Sequence, residues 1–276
     1  MGAGPGTVAT RPAARTYRHA EEVMGTVVTF DLFDEAGVTR AQVKPHLDRA
    51  RAVLHRADDI FSTWKHDSPL SRLRRGELAV RDAPAEVAEV LDRCCIAREL
   101  SGGWFDPWSM PGGVDPTGLV KGWAAQRALA ALVDSGVRGA MVNAAGDIAG
   151  FGGPSQSTPF RVGIADPSSP RQLACVVELR GSIATSGTYE RGAHLVDPKT
   201  GEPTARLASA TVCGPDLGLA DALATALAVG GDDVLATIEQ VDGYDALAIH
   251  LDGTRAWTTA FPFAVDSDDP SQLDRA

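Results

Sequence analysis

The sequence predicts an α+β fold in which mixed or antiparallel sheets are flanked by helices. Helical patterns come early in the chain, and most of the runs rich in β-branched residues come late. Because helices and strands do not alternate strictly, a doubly wound parallel sheet is disfavoured. The length of 276 residues and the usage of 44% hydrophobic and 22% charged residues are typical of a globular protein that buries a core.

The helices are predicted from apolar spacing and from the residues at their ends. The first has an amphipathic stripe formed by Val43, Leu47, Ala50, Val53, Leu54, Ala57 and Ile60. The second begins near Pro84 and ends before Gly102, as helix-start prolines and helix-end glycines indicate. The predicted helices cover residues 40–60, 84–100, 119–133, 219–229 and 232–240.

The strands are predicted from short runs rich in β-branched, aromatic and apolar residues. The last two strands are joined by Asp252-Gly253, which is a hairpin signal. The predicted strands cover residues 25–33, 140–144, 160–165, 174–179, 181–186, 207–213, 246–250 and 255–258.

The chain is predicted to form one domain with flexible ends. Residues 1–17 are predicted to be a flexible lead, residues 18–265 the catalytic domain, and residues 266–276 a flexible acidic tail. The lead has no apolar core of a signal peptide, and no run approaches the roughly 20 apolar residues that span a bilayer. We therefore expect a cytoplasmic protein without a membrane anchor.

The net charge of −10 limits the possible partners. No basic stripe is present in the sequence, so we expect no nucleic-acid partner. An acidic protein that binds anionic phosphates needs a local cation, such as a metal ion, or an amide-rich loop.

Two clusters carry candidate chemistry. Residues 185–201 combine hydroxyls and glycines with His194, which can exchange a proton near neutral pH; the alternative is an ordinary hairpin with a tight turn at 197–201. Asp221 and Thr225 lie four residues apart, on one face of a predicted helix, where their oxygens suit Mg²⁺. A capping or ionic contact of Asp221 is the alternative.

Two further segments are candidates for phosphate binding. Gly118 and Gly122 flank a predicted helix start beside Lys121, an arrangement that offers amides and a cation to an anion. The alternative is a loop pinned by prolines. Residues 143–147 form a strand and a glycine turn but match neither the dinucleotide-binding nor the P-loop fingerprint.

Segments with recognisable motifs follow one another along most of the chain. They are Met24-Gly-Thr, Phe61-Ser-Thr-Trp with Asp67-Ser-Pro-Leu-Ser-Arg-Leu, Gly103-Trp-Phe-Asp-Pro, Asp115-Pro-Thr-Gly-Leu-Val-Lys-Gly-Trp-Ala, Asn143-Ala-Ala-Gly-Asp-Ile, Thr185-Ser-Gly-Thr-Tyr-Glu-Arg with His194-Leu-Val-Asp-Pro-Lys-Thr-Gly, and Asp221-Ala-Leu-Ala-Thr-Ala. As an ordered set they resemble the ApbE family, the FAD:protein FMN transferases.

The resemblance implies a T-fold-like single unit with two lobes and a Mg²⁺-dependent reaction. Family members transfer the FMN half of FAD to a Thr or Ser hydroxyl of a flavoprotein and release AMP. The resemblance places the metal on Asp221, Thr225 and the main-chain carbonyl of Val120. It makes His194 the proton acceptor or a flavin contact, with Asp221 as the second catalytic residue. The FAD cleft would be lined by Met24, Thr63, Trp64, Asp106, Lys121, Ser186, Gly187 and His194.

The sequence departs from the family pattern at three positions. Ala145 replaces the first glycine of Gly-Gly-Asp, Gln126 replaces a common Asp, and Arg74 replaces an Asn. An FAD pyrophosphatase that releases FMN and AMP, with water as the acceptor, stays open as an alternative. A flavin-binding protein without transferase chemistry and a degenerate scaffold are the others.

Overall fold

The computed structural model describes residues 15–34, 37–155, 158–187, 195–204 and 206–264. The strands, in chain order, are β1 (Arg15–Val23), β2 (Thr26–Asp34), β3 (Gly139–Ala144), β4 (Asp147–Phe151), β5 (Arg161–Asp166), β6 (Ser169–Glu178), β7 (Ser182–Gly187), β8 (Leu207–Gly214), β9 (Asp245–His250) and β10 (Arg255–Trp257). The helices are α1 (Arg40–Phe61), α2 (Pro69–Arg74), α3 (Ala85–Leu100), α4 (Thr117–Ala130), α5 (Leu217–Gly230) and α6 (Asp232–Ile238).

The predicted α+β class is confirmed. Eight strands form one sheet in the order β1-β2-β3-β4-β7-β8-β9-β10, and β5 and β6 form a separate pair. Every neighbouring pair in both sheets is antiparallel. Among the described residues, no helix has the combination of length and apolar character needed to cross a membrane.

The large sheet separates two apolar cores. On one face, small residues such as Ala149, Ala184 and Val212 belong to the core that includes the helices. On the other face, Ile148 and Ile183 belong to a second core shared with the β5–β6 pair. This division follows from the period of two along a strand, which sends adjacent side chains to opposite faces.

Helices α4 and α5 cross at very short range on the first face. A Cβ atom added to Gly122 would lie 2.4 Å from the main-chain oxygen of Leu217, and one added to Gly218 would lie 3.2 Å from Trp123 Cβ. Such close approach is possible because glycine has no side chain. The crossing brings the middle of α4 against the first turns of α5.

One end of the large sheet carries several predicted site residues. The turns at Met24-Gly25 and Ala145-Gly146 both lie at this end, because Val28 of β2 pairs with Ala144 of β3. The last residues of β7 reach the same end, since Ile148 pairs with Ile183 in antiparallel register. Met24 and Ala145 have φ angles of 53° and 52°. We call this the turn end of the sheet.

The structure differs from the sequence predictions at some boundaries. Strand β1 was not predicted, and it begins at Arg15, inside the segment predicted as a flexible lead. Its charged residues hide the strand pattern, because β1 lies at the edge of the sheet with one neighbour. Helix α4 ends at Ala130 instead of 133, and a short 3₁₀ turn covers Val133–Ser135. Residues 1–14 and the predicted tail at 266–276 lie outside the described residues.

Candidate functional site

Two buried carboxylates form the centre of the candidate site. Asp147 opens β4 and is fully buried, and Asp221 in α5 is 4% exposed. The Nζ atom of Lys121, on α4, lies 2.6 Å from Asp147 Oδ2. The main-chain N–H of Gly122 donates to Asp221 Oδ2 at 3.3 Å. The cluster therefore combines one strand and two helices.

The electrostatics of this cluster favour an additional positive charge. Burial raises the pKa of both carboxyl groups, and the neighbouring charge of Asp147 raises the pKa of Asp221 further. Lys121 opposes both shifts, but one ammonium group cannot neutralise two carboxylates. A cation bound beside Asp221 would favour its ionised form.

Hydroxyl groups lie next to the carboxylates. Thr225 follows Asp221 by one helical turn, and its Oγ1 lies 3.3 Å from Ser186 Oγ on β7. A Cβ atom added to Gly118 would lie 3.5 Å from Thr225 Oγ1, so the first turn of α4 also contacts this region. Val120, whose carbonyl was predicted as a metal ligand, is buried in α4 next to Lys121.

Local contacts explain how α5 is positioned. Asp216 caps the helix by accepting from the N–H of Leu219 at 2.9 Å. Gln126 Oε1 on α4 accepts from the N–H of Leu217 at 3.1 Å. Gln126, one of the departures from the family pattern, therefore satisfies a main-chain donor at the start of α5.

Three further predicted residues lie at the turn end of the sheet. Met24 is half-buried in the first turn, and Ser186 and Gly187 end β7. Of these, Ser186 contacts the cluster directly through Thr225.

Other predicted residues lie on separate loops. Thr63 and Trp64 follow α1, and the Trp64 ring is 95% exposed. Asp106 accepts from the N–H of Trp108 at 3.0 Å and pairs with Arg98 at 3.0 Å, so it stabilises its own loop. The remaining residue, His194, lies outside the described residues, and its role stays a prediction.

The tight turn predicted at 197–201 is confirmed. The N–H groups of Thr200 and Gly201 donate to the Asp197 carbonyl at 3.3 and 2.8 Å. Lys199 in this turn places its Nζ 3.4 Å from the centre of the Trp104 ring.

Asp147 is the site residue that sequence reasoning did not select. The available signal was an aspartate directly before the apolar strand residues Ile148 and Ala149. Its ion pair with Lys121 depends on the packing of α4 against the sheet, which the sequence pattern does not reveal. Within the described ranges, no group of three or more His, Cys, Asp or Glu side chains has the arrangement of a metal site.

Comparison with known proteins gives matches along most of the chain. The model of the ApbE family matches residues 24–112 and 108–248. A protein of Klebsiella pneumoniae (strain 342) named FAD:protein FMN transferase is 30% identical over 113 residues, which are 37% of this chain and 32% of the relative. A Vibrio cholerae serotype O1 protein of the same name is 34% identical over 110 residues, 36% of this chain and 33% of the relative. The matched segments thus span about a third of these relatives.

Solved structures match the fold over nearly the whole chain. The flavin transferase ApbE from Vibrio cholerae has a TM-score of 0.78 at 22% identity, covering 90% of this chain and 98% of that one. The ApbE protein from Thermotoga maritima has a TM-score of 0.77 at 21% identity, covering 89% and 97%. With the two family-model matches, which run from residue 24 to residue 248, these findings show that the chain belongs to the ApbE family.

Proposed function

We propose that this chain is a Mg²⁺-dependent FAD:protein FMN transferase, which moves FMN from FAD to a Thr or Ser hydroxyl of a target flavoprotein and releases AMP. Family membership and the names of the relatives support a transferase with FAD as the donor. The observation that carries the proposal is the buried pair Asp147 and Asp221, adjacent to the hydroxyls of Ser186 and Thr225.

The chemistry of these residues fits a magnesium ion. Mg²⁺ prefers oxygen ligands, and Asp221, Thr225 and the Val120 carbonyl would supply a carboxylate, a hydroxyl and a main-chain oxygen. Asp221 lies beside a second buried carboxylate, so a dication offsets negative charge that Lys121 alone leaves uncompensated. When bound, the ion supplies the positive charge that neutralises a pyrophosphate and stabilises the departing AMP.

The protein's own residues hold this arrangement in place. Asp147 fixes the ammonium group of Lys121 at 2.6 Å, and the Gly122 N–H orients the Asp221 carboxylate. In the proposed step, the acceptor hydroxyl oxygen bonds to the FMN phosphorus of FAD, and the bond from that phosphorus to AMP breaks. The hydroxyl proton passes to His194, the base that we propose from the resemblance.

We assign the surroundings of this centre to FAD. Lys121 would contact the phosphates, and Met24, Ser186 and Gly187 would form the part of the cleft at the turn end of the sheet. Thr63, Trp64 and Asp106 would contribute from the loops. The acceptor flavoprotein, its Thr or Ser segment and a cytoplasmic location are part of the proposal.

The test is an incubation of the purified chain with FAD and Mg²⁺, with and without a peptide that carries an Asp-Gly-Ala-Thr segment. AMP release and peptide mass are measured. We expect the peptide to gain the mass of FMN, and we expect Asp221→Asn or chelation of Mg²⁺ to reduce labelling by at least about 100-fold, as the loss of metal assistance implies. Asp242→Asn, at an exposed aspartate, is the matched control and should label normally.

Each other outcome points to a different function. AMP and free FMN in both the presence and the absence of the peptide would indicate water as the acceptor, and therefore an FAD pyrophosphatase. Tight FAD binding without AMP under any condition would contradict a catalytic role and leave a flavin-binding protein.

A further inference from the structure

Arg74, the last residue of α2, holds the loop that leads into α4. Its side chain is 17% exposed. The guanidinium donates to three acceptors of this loop: Asp115 Oδ2 at 2.8 Å, the Pro111 carbonyl at 2.9 Å and the Gly112 carbonyl at 3.2 Å. A planar fork of donors suits such a set, which a single ammonium group cannot satisfy with the same geometry.

The loop is shaped to fit this side chain. Gly112 and Gly113 have φ angles of +79° and +101°, which favour glycine. A Cβ atom added to Gly112 would lie 2.9 Å from Arg74 Nη2, and one added to Gly113 would lie 3.5 Å from the Arg74 carbonyl oxygen. The absence of side chains at both positions therefore lets the loop close around Arg74.

Asp115 transmits this contact to α4. While its Oδ2 accepts from Arg74, its Oδ1 accepts from the Thr117 N–H at 3.1 Å and from Thr117 Oγ1 at 2.6 Å. Thr117 begins α4, and the next residue, Gly118, packs next to Thr225. The two carboxylate oxygens thus connect Arg74 with the helix turn that precedes Val120 and Lys121.

Helix α2 is also attached to the loop that carries Thr63 and Trp64. The hydroxyls of Ser68 and Ser71 donate to the Ser62 carbonyl at 2.6 and 3.1 Å. Ser62 immediately precedes Thr63 in the chain. Helix α2 therefore connects two segments that are separated by about 50 residues in sequence.

We propose that Arg74 is a positioning residue that fixes the first turn of α4 relative to the loop at 62–64. This inference rests on the proposed function, because these two segments are the ones assigned there to the metal and to FAD. Arg74 itself touches neither in this assignment. It acts through Asp115, and its loss should loosen α4 at its start without removing any proposed ligand.

The first experiment measures hydrogen–deuterium exchange of the full-length protein without added ligand. Arg74→Asn should raise exchange by about tenfold in peptides that cover 111–121, as expected when charge-assisted hydrogen bonds are lost. Arg74→Lys should give an intermediate increase. Arg72→Asn changes an exposed arginine on the same helix and should match the wild type.

The second experiment measures FAD affinity and the steady-state constants with Mg²⁺ for the same variants. We expect Arg74→Asn to weaken FAD binding and to raise KM by about tenfold, with a smaller change in kcat, and Arg74→Lys to restore part of the loss. Equal exchange in Arg74→Asn and wild type would refute the inference. A uniform rise in exchange over the whole chain would also refute it, since that indicates general destabilisation.

The outcomes separate this inference from the proposed function. If the wild type does not bind FAD, the proposed function fails, while the exchange data still decide whether Arg74 holds the loop. If Arg74→Asn does not fold, the comparison of Arg74→Lys with wild type decides. Wild-type exchange and wild-type KM in Arg74→Lys would then contradict a role for the guanidinium fork.

Discussion

Ala145 is a residue whose backbone conformation conflicts with its side chain. Its φ angle of 52° lies in the left-handed region, and Gly146 follows with a φ angle of 94°. The Asn143 side chain accepts from the Gly146 N–H at 2.8 Å and holds the turn closed. An L-residue in this region costs about 1–2 kcal/mol, which glycine avoids. The turn therefore keeps the shape that a glycine pair would adopt, at some cost in stability.

We expect Ala145→Gly to stabilise the protein by about 0.5–1 kcal/mol, because relief of the strained conformation exceeds the extra entropy of glycine in the unfolded chain. Urea unfolding measures this change. Gly146→Ala, at the neighbouring position of the same turn, should destabilise the protein. Reduced stability of Ala145→Gly would contradict the strain at this residue.

Glu21 on β1 collects partners of one charge type. Its carboxylate, in a buried residue, accepts from Arg51 at 2.5 Å, from His55 at 2.6 Å and from His19 at 3.0 Å. The hydrogen bonds from Arg51 contribute most, and together the partners lower the pKa of Glu21 to about 2, against the opposing effect of burial. This cluster attaches β1 to α1.

Because its folded-state pKa is lowered, Glu21 stabilises the fold above its ordinary pKa of about 4.5, and this stabilisation is lost as the pH falls toward 2. At pH 7, Glu21→Gln should reduce the free energy of unfolding by about 1–2 kcal/mol, a modest value because solvent screens the partly exposed partners. Urea titrations of both proteins between pH 7 and pH 2.5 check this. A stability difference that grows on acidification would contradict the assignment.

At the scale of elements, the crossing of α4 and α5 decides where the proposed ligands lie. Gly122 allows the contact with Leu217 and also donates its N–H to Asp221. The same glycine therefore serves both packing and the orientation of the carboxylate. Two helices with a larger residue here would have to move apart.

We expect Gly122→Ala to destabilise the protein by about 2 kcal/mol, since the new methyl group would overlap the Leu217 main-chain oxygen and outweigh the gain in helix propensity. Gly118→Ala in the same helix is the matched control. Its Cβ atom would meet the Phe105 ring at 3.2 Å, and a side chain can move. Thermal unfolding compares the two, and equal losses would show that the close crossing is not the cause.

At the scale of the whole molecule, the two buried carboxylates place a cost on the fold. Asp147 and Asp221 come from β4 and α5, and burial with mutual repulsion raises the pKa of Asp221 well above its ordinary range. An ionised group in such surroundings destabilises a fold unless a partner compensates it. A bound cation is such a partner, so its binding should be coupled to stability.

Without divalent ions at pH 7, Asp221→Asn should be more stable than the wild type by about 1–2 kcal/mol, because the amide removes a buried charge. Addition of Mg²⁺ should raise the melting temperature of the wild type and leave that of Asp221→Asn unchanged. Differential scanning calorimetry with EDTA and with increasing Mg²⁺ measures both effects. Equal shifts in the two proteins would place the ion elsewhere.

The sequence by itself determined the secondary structure of most segments and the α+β class. It also placed Asp221 and Thr225 on one helix face and indicated a tight turn at 197–201. These features depend on periodicity and turn chemistry, which are encoded within a few neighbouring residues. The ordered motifs also pointed to the ApbE family, which the match over residues 24–112 and 108–248 confirmed.

Only the tertiary structure decided which groups meet. Lys121, Asp147 and Asp221 lie on three elements far apart in sequence, and their contacts arise from the packing of α4 and α5 on the large sheet. The role of Arg74 likewise depends on a loop about 40 residues away. Burial, charge proximity and raised pKa values are properties of the assembled core. The pattern of a single segment does not contain them, because they depend on what packs against it.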